Sequence, residues 1–131
     1  MERAWLALSG LSGAVAVAAD AAARHVLADD AARAALVGIA ARYALIHAAA
    51  LLALAALAVL WRGDAGRPRR HAFGVAGWCF ALGLVLFPGS LYLLAAGAPP
   101  AVARVTPWGG GLFIVGWAAL IVAAAIPRHR A

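Results

Sequence analysis

The chain has 131 residues, of which 66% are hydrophobic and 12% charged, with a net charge of +6. Soluble domains carry about 25% charged residues, so a water-soluble globule is excluded; a domain of this length could not hide that much apolar surface. The basic balance, all arginine and no lysine, does not point to nucleic acid, because basic and aromatic residues are not interleaved; arginine-rich cytoplasmic loops of a membrane protein account for it.

Four apolar stretches, Ala4–Ala19, Leu36–Trp61, Ala72–Ala96 and Trp108–Ile126, approach or exceed the roughly 20 residues that cross a bilayer core. They predict helices over about 4–27, 33–61, 72–96 and 107–126 in a single domain. The first has a signal-peptide outline, but Asp20 precedes the small-residue site Ala21-Ala22-Ala23 and the start is barely basic, so it reads as a retained helix. Asp29 and Asp30 can cap the second helix. The segment Arg62–His71 reads as a basic loop broken by Gly63, Gly66 and Pro68. The third helix contains Pro88, which removes a backbone donor and should kink it. Gly97–Pro107 reads as a loop, and Pro107 opens the fourth helix, where proline is tolerated. Cys79, the one cysteine, excludes an intramolecular disulfide or paired-thiol metal site and reads as a small buried hydrophobe.

Charge predicts topology. The loop Arg62–His71 holds four arginines and one aspartate, and the tail holds Arg128 and Arg130. With four crossings these fall on the side of the N-terminus, which predicts both termini in the cytoplasm of a bacterial inner-membrane protein. Trp5, Trp61 and Trp108 fall at expected interfaces. Small residues let membrane helices approach closely. Ser9, Gly13, Ala16 and Asp20 share one face of the first helix, and Gly74, Gly77 and Ala81 recur on the third. Gly89 follows Pro88, and Gly109, Gly110, Gly111 and Gly116 lie in the fourth. An antiparallel four-helix bundle is the simplest arrangement.

Polar groups inside apolar helices are the candidates for function, since each is costly there. Asp20 and Arg42 fall at similar depth, about 9 Å inside the boundary by helix rise, and can pair between helices; Asp20 can instead pair with Arg24, one turn away. Such a pair fixes helix register, or it belongs to a proton or ion relay or to a polar site for a ligand headgroup. Tyr43 and His47 share a face. With His25, Ser90 and Tyr92 they are candidates for a polar groove in which His47 hydrogen-bonds Tyr92, Ser90 or a backbone carbonyl. His25 and His47 differ in depth by roughly 16 Å, which excludes a shared metal ion or haem, and no cofactor is expected. No nucleophile with a base stands in a hydrolase context, Ser12 and Ser90 included. There is no phosphate-binding loop and no paired carboxylate, so an enzyme is not expected.

The motifs Leu11-Ser12-Gly13-Ala14-x-Ala16-Val17, His25-x-Leu27, Tyr43-x-x-x-His47, Phe87-x-Gly89-Ser90-Leu91-Tyr92 and Thr106-Pro107-x-Gly109-Gly110-x-x-Phe113-x-x-Gly116-Trp117 together resemble the YgdD-like family of small bacterial inner-membrane proteins, whose eukaryotic relatives include transmembrane protein 256. The resemblance covers nearly the whole chain and implies an uncleaved first helix and four crossings. It implies no activity. The chain departs from the pattern at Asp20-Ala21-Ala22-Ala23-Arg24, where a glycine- and phenylalanine-containing stretch is usual, and at Arg42, where an uncharged polar residue is usual. Three functions are compatible with these features. The first is an accessory or scaffold subunit with a membrane-protein partner or a homo-oligomer. The second is a small-solute, proton or ion transport component with Pro88 as a hinge. The third is a lipid- or quinone-binding protein.

Overall fold

The computed structural model describes residues 1–60 and 67–127. Four long helices follow in order: α1 (Glu2–His25), α2 (Ala31–Leu60), α3 (Arg67–Ala95) and α4 (Thr106–Ala125), with a short 3-10 helix, Pro100–Arg104, before α4. Each long helix is long and apolar enough to cross a membrane. The expectations placed on Trp61, on residues 62–66 and on Arg128 and Arg130 lie outside the described residues.

Local chemistry explains the boundaries. The Asp30 carboxylate accepts a hydrogen bond from the Arg33 N–H at 3.0 Å, satisfying one of the free amides at the start of α2. At the end of α3, Gly97 adopts φ +93°. There the Ala98 N–H reaches Leu93 O and the Gly97 N–H reaches Leu94 O, the paired closure that calls for a left-handed residue after a helix. α3 begins earlier than the sequence suggests. Arg67–His71 is its first turn and not a loop, because Pro68 stands where the backbone N–H has no helical partner anyway. The guanidinium of Arg69 lies over the Phe73 ring, 5.7 Å from its centroid.

The helices pack in sequence order, α1 on α2, α2 on α3, α3 on α4. α1 and α4 share no extensive backbone contact, and α2 and α3 form the centre of the array. Bilayer tails are as apolar as leucine, so close packing and hydrogen bonds hold such helices together, not the hydrophobic effect. Between α1 and α2 the packing is by alanine, with Ala16, Ala40, Ala41 and Ala44 nearly inaccessible. A hydrogen bond from Ser9 Oγ to Ala48 O, 2.8 Å, ties the two helices.

Elsewhere rings fill spaces left by glycines. A Cβ at Gly77 would strike the Trp5 indole, one at Gly83 the Phe113 ring, one at Gly116 the Phe80 ring, and one at Gly109 the backbone of Phe87. Trp5 therefore does not serve as an interfacial belt residue. It is 2% exposed, it plugs α1 into α3, and it meets Trp78 edge-on at 6.4 Å. Gly110 is in ordinary contact with the Phe87 ring, whereas Gly13 and Gly89 have nothing within 4 Å of a Cβ. Those two do not provide a close helix approach within this chain.

Candidate functional site

The intramembrane polar residues separate into three places. The first is His47, buried on the face of α2 that meets α3 and α4. Its ring stacks on Phe113 with centroids 3.4 Å apart and planes 8° apart, and the Phe80 ring stands edge-on at 5.5 Å. Both ring nitrogens are engaged: Nδ1 lies 2.9 Å from Tyr43 O, and Trp117 Nε1 donates to Nε2 at 3.2 Å. Indole N–H can only donate, so Nε2 must accept. The proton of a neutral ring then sits on Nδ1 and is donated to the Tyr43 carbonyl. This backbone carbonyl is one of the partners the sequence suggests; Ser90 and Tyr92 are not partners. Trp117, which completes the arrangement from 70 residues away, carried no signal in α2's own pattern.

Outside His47, α2 and α4 leave an open recess of about 510 Å³, bordered by Tyr43, Phe87, Pro107, Phe113, Ile114 and Trp117. Tyr43 continues the His47 stack, with rings 6.1 Å apart and 8° from parallel, and its other side meets Phe87 at 4.8 Å. The groove envisaged from sequence thus contains Tyr43 and His47 without the other three candidates. His25 is exposed at the end of α1. Tyr92 packs with Ala23, Val37 and Ala95 in a separate apolar cluster, where its hydroxyl is buried without a hydrogen-bond partner among the described residues.

Ser90 makes the second place. Its hydroxyl donates to Phe87 O at 2.9 Å and lies 2.7 Å from Thr106 Oγ1, which joins α3 to the first turn of α4. An N–H at position 88 would donate to Leu84 O, so that is the carbonyl Pro88 leaves without its helical donor; the Ser90 hydroxyl bonds back to the Phe87 carbonyl, one turn before it.

The third place is a recess of about 410 Å³ between α1 and α2, bordered by Asp20, Arg24, Gly38 and Arg42. Arg24 binds both oxygens of Asp20, Nε to Oδ2 at 2.9 Å and one terminal nitrogen to Oδ1 at 3.4 Å. Of the two pairings the sequence allows, the structure contains the one within α1. Arg42 borders the same recess but makes no ion pair with Asp20: a carboxylate gripped on both oxygens by a guanidinium one turn away is occupied. Among the described residues no three His, Cys, Asp or Glu side chains gather within reach of one metal ion.

Fold and sites together define a small four-helix membrane protein with isolated intramembrane polar clusters. Residues 19–110 match the family described as "Protein of unknown function (DUF423)", and the chain belongs to that family. Similar proteins include the "UPF0382 membrane protein SERP0230" of Staphylococcus epidermidis, 48% identical over 48 residues, or 37% of this chain and 39% of that protein. The "UPF0382 membrane protein YwdK" of Bacillus subtilis is 45% identical over 49 residues, covering 37% of this chain and 40% of that protein. The "UPF0382 inner membrane protein YgdD" of Escherichia coli is 54% identical over 44 residues, 34% of each chain. The matched stretches thus span about a third to two fifths of the relatives' length. No solved structure matches the chain.

Proposed function

We propose that this protein is a non-catalytic accessory or scaffold component of an inner-membrane assembly, associating through α1. The observation that carries this reading is the composition of the outward side of α1. Ala7, Gly10, Ala14, Ala18 and Ala21 are all exposed and recur at three- and four-residue spacing, which aligns them along one side of the helix. Gly10 opens onto free space. Leu6, Leu11, Val15 and Val17, also exposed, flank this line, while α4 presents Trp108, Ile114, Ile121 and Val122 outward, side chains suited to lipid tails. A small-residue ridge lets a second helix approach closely enough for backbone-level packing. The partner is a second copy or another membrane protein.

We read both termini as cytoplasmic. Arg67, Arg69 and Arg70 open α3 at the end where α1 begins, whereas the segment Arg24–Arg33 balances two arginines against Asp29 and Asp30.

The experiment is the intact mass of the particle after gentle detergent extraction, for the unmodified chain and for Gly10→Leu and Ala14→Leu together. The expected result is a defined assembly for the former and a single chain for the latter. A single chain in both cases would refute the reading. Orientation is tested by labelling single cysteines at Arg3 and at Ala101 in a Cys79→Ala background; labelling of Arg3→Cys from outside intact cells would reverse it.

The recess beside His47 supports a second reading, binding of a lipid or quinone. Its walls are aromatic, and Tyr43, 42% exposed, brings a hydroxyl to its border. A quinone in liposomes should then quench Trp117 fluorescence with saturation, and a purely linear, collisional response would exclude this occupant.

A further inference from the structure

Arg42 is exposed on a helix that crosses the membrane and has no hydrogen bond or ion pair among the described residues. An uncompensated guanidinium in a bilayer is costly and ordinarily finds a counter-charge or reaches the interface. Its depth indicates which anion is near. α2 has 30 residues, about 45 Å at 1.5 Å per residue, against a hydrocarbon core of about 30 Å. Counting back from Leu60, which Trp61 and Arg62 follow in the sequence, Arg42 stands about 27 Å along the helix. That is close to the headgroup layer at the end of the molecule that bears the α1–α2 turn.

The recess it borders holds one cation in excess, because Asp20 and Arg24 neutralise each other. Gly38, one turn nearer the α1–α2 turn, leaves open space where a side chain would stand. Leu45, one turn deeper, is apolar and exposed. Along one side of α2 the order is therefore open space, cation, apolar surface. That sequence fits a phospholipid: headgroup over Gly38, phosphate on Arg42, acyl chain along Leu45. A guanidinium binds phosphate through two parallel hydrogen bonds, a geometry suited to this anion.

We propose that the α1–α2 recess binds one membrane phospholipid, with Arg42 as the phosphate ligand. This does not depend on the accessory role proposed above. The test is native mass spectrometry of the full chain titrated with palmitoyl-oleoyl phosphatidylglycerol, with the corresponding diacylglycerol and inorganic phosphate as separate probes.

One phosphatidylglycerol should bind with preference over diacylglycerol. Arg42→Gln should weaken it by about tenfold, as expected for loss of a charge-assisted hydrogen bond. Gly38→Leu leaves every charge in place on an unobstructed helix face and should weaken it comparably by filling the headgroup space. It serves as the independent variant should Arg42→Gln fail to fold. Unchanged phosphatidylglycerol binding in either folded variant would overturn the proposal. Two further outcomes would do the same: equal binding of diacylglycerol, or occupancy of the site by inorganic phosphate with no gain from the lipid. So would a stoichiometric protein partner that Arg42→Gln releases while the lipid stays bound.

Discussion

Neighbouring glycines in the first turn of α4 offer a sharp test of how α3 and α4 are held together. A Cβ at Gly109 would press on the Phe87 backbone N and stand 2.8 Å from both Phe87 Cα and Cβ; one at Gly110 would stand 3.6 Å from the Phe87 ring. Carbon atoms pack best at roughly 3.5–4.0 Å. Gly109→Ala therefore has to push α4 away from α3 by about 1 Å, and the obstacle is backbone, which cannot rotate aside. The displacement would also stretch the 2.7 Å Ser90–Thr106 contact and loosen Phe80 against Gly116. Overpacking of this kind costs about 1–3 kcal/mol. Both glycines lie in the same helix turn, so the gain in helix propensity from alanine cancels in the comparison. Gly109→Ala should thus be about 1–3 kcal/mol less stable than Gly110→Ala. The assay is reversible unfolding in mixed micelles, followed by tryptophan fluorescence and far-UV circular dichroism. Equal stability of the two variants, or a greater loss in Gly110→Ala, would refute the packing argument.

Trp117→Phe leaves His47 Nε2 buried without a donor and should destabilise the fold by about 1–3 kcal/mol. In a cycle with His47→Phe the two losses should be strongly non-additive, and additive losses would remove the hydrogen bond from consideration. Asp20→Asn and Arg42→Gln should have additive effects to within about 0.5 kcal/mol, whereas Asp20→Asn and Arg24→Gln should be coupled; unfolding in the same micelles separates the two pairings. Trp5→Ala empties the space between α1 and α3 and should cost several kcal/mol, about 3–5 by the measure of buried aromatic truncations. Trp108→Ala, at a residue 74% exposed, should stay within about 0.5 kcal/mol.

Sequence alone was most informative where a constraint acts over one turn. Apolar length marks the four spans, Asp30 caps α2 as its spacing suggests, and Gly97 closes α3. Asp20 had two possible partners, and the structure selects the one within its own helix. The sequence becomes silent where helix rotation decides. Ser90 and Tyr92 are two residues apart, about 200° around a helix, so one groove could not receive both side chains; one turned to Thr106 and the other to Ala23 and Val37. That much could have been deduced from the spacing. Trp117 could not, because nothing local states which side of α4 faces α2. Trp5 was misleading for another reason: a tryptophan near a span end suits an interface and an interhelical plug equally, and the glycine that accepts it, Gly77, lies on a different helix.

The separation of the polar clusters bears on the transport alternative. A proton carrier must take a proton at one atom and release it at another. His47 Nε2 is filled by an indole N–H that has no acceptor to offer, and Nδ1 is turned onto a backbone carbonyl. Protonation at Nε2 would therefore first require Trp117 to leave. Ser90 and Thr106 bridge α3 to α4, while Asp20, Arg24 and Arg42 border a recess between α1 and α2. Leu51, Phe80 and Leu84 are buried in one apolar core with Ala41, Ala44 and Ala81, and α1 packs on α2 through alanines. A polar path through a single copy would have to part that packing. A path along the outside of α1, shared with a second chain, would not. With association through α1 as proposed, the Ala7–Ala21 ridge is also a surface along which two chains could share such a path.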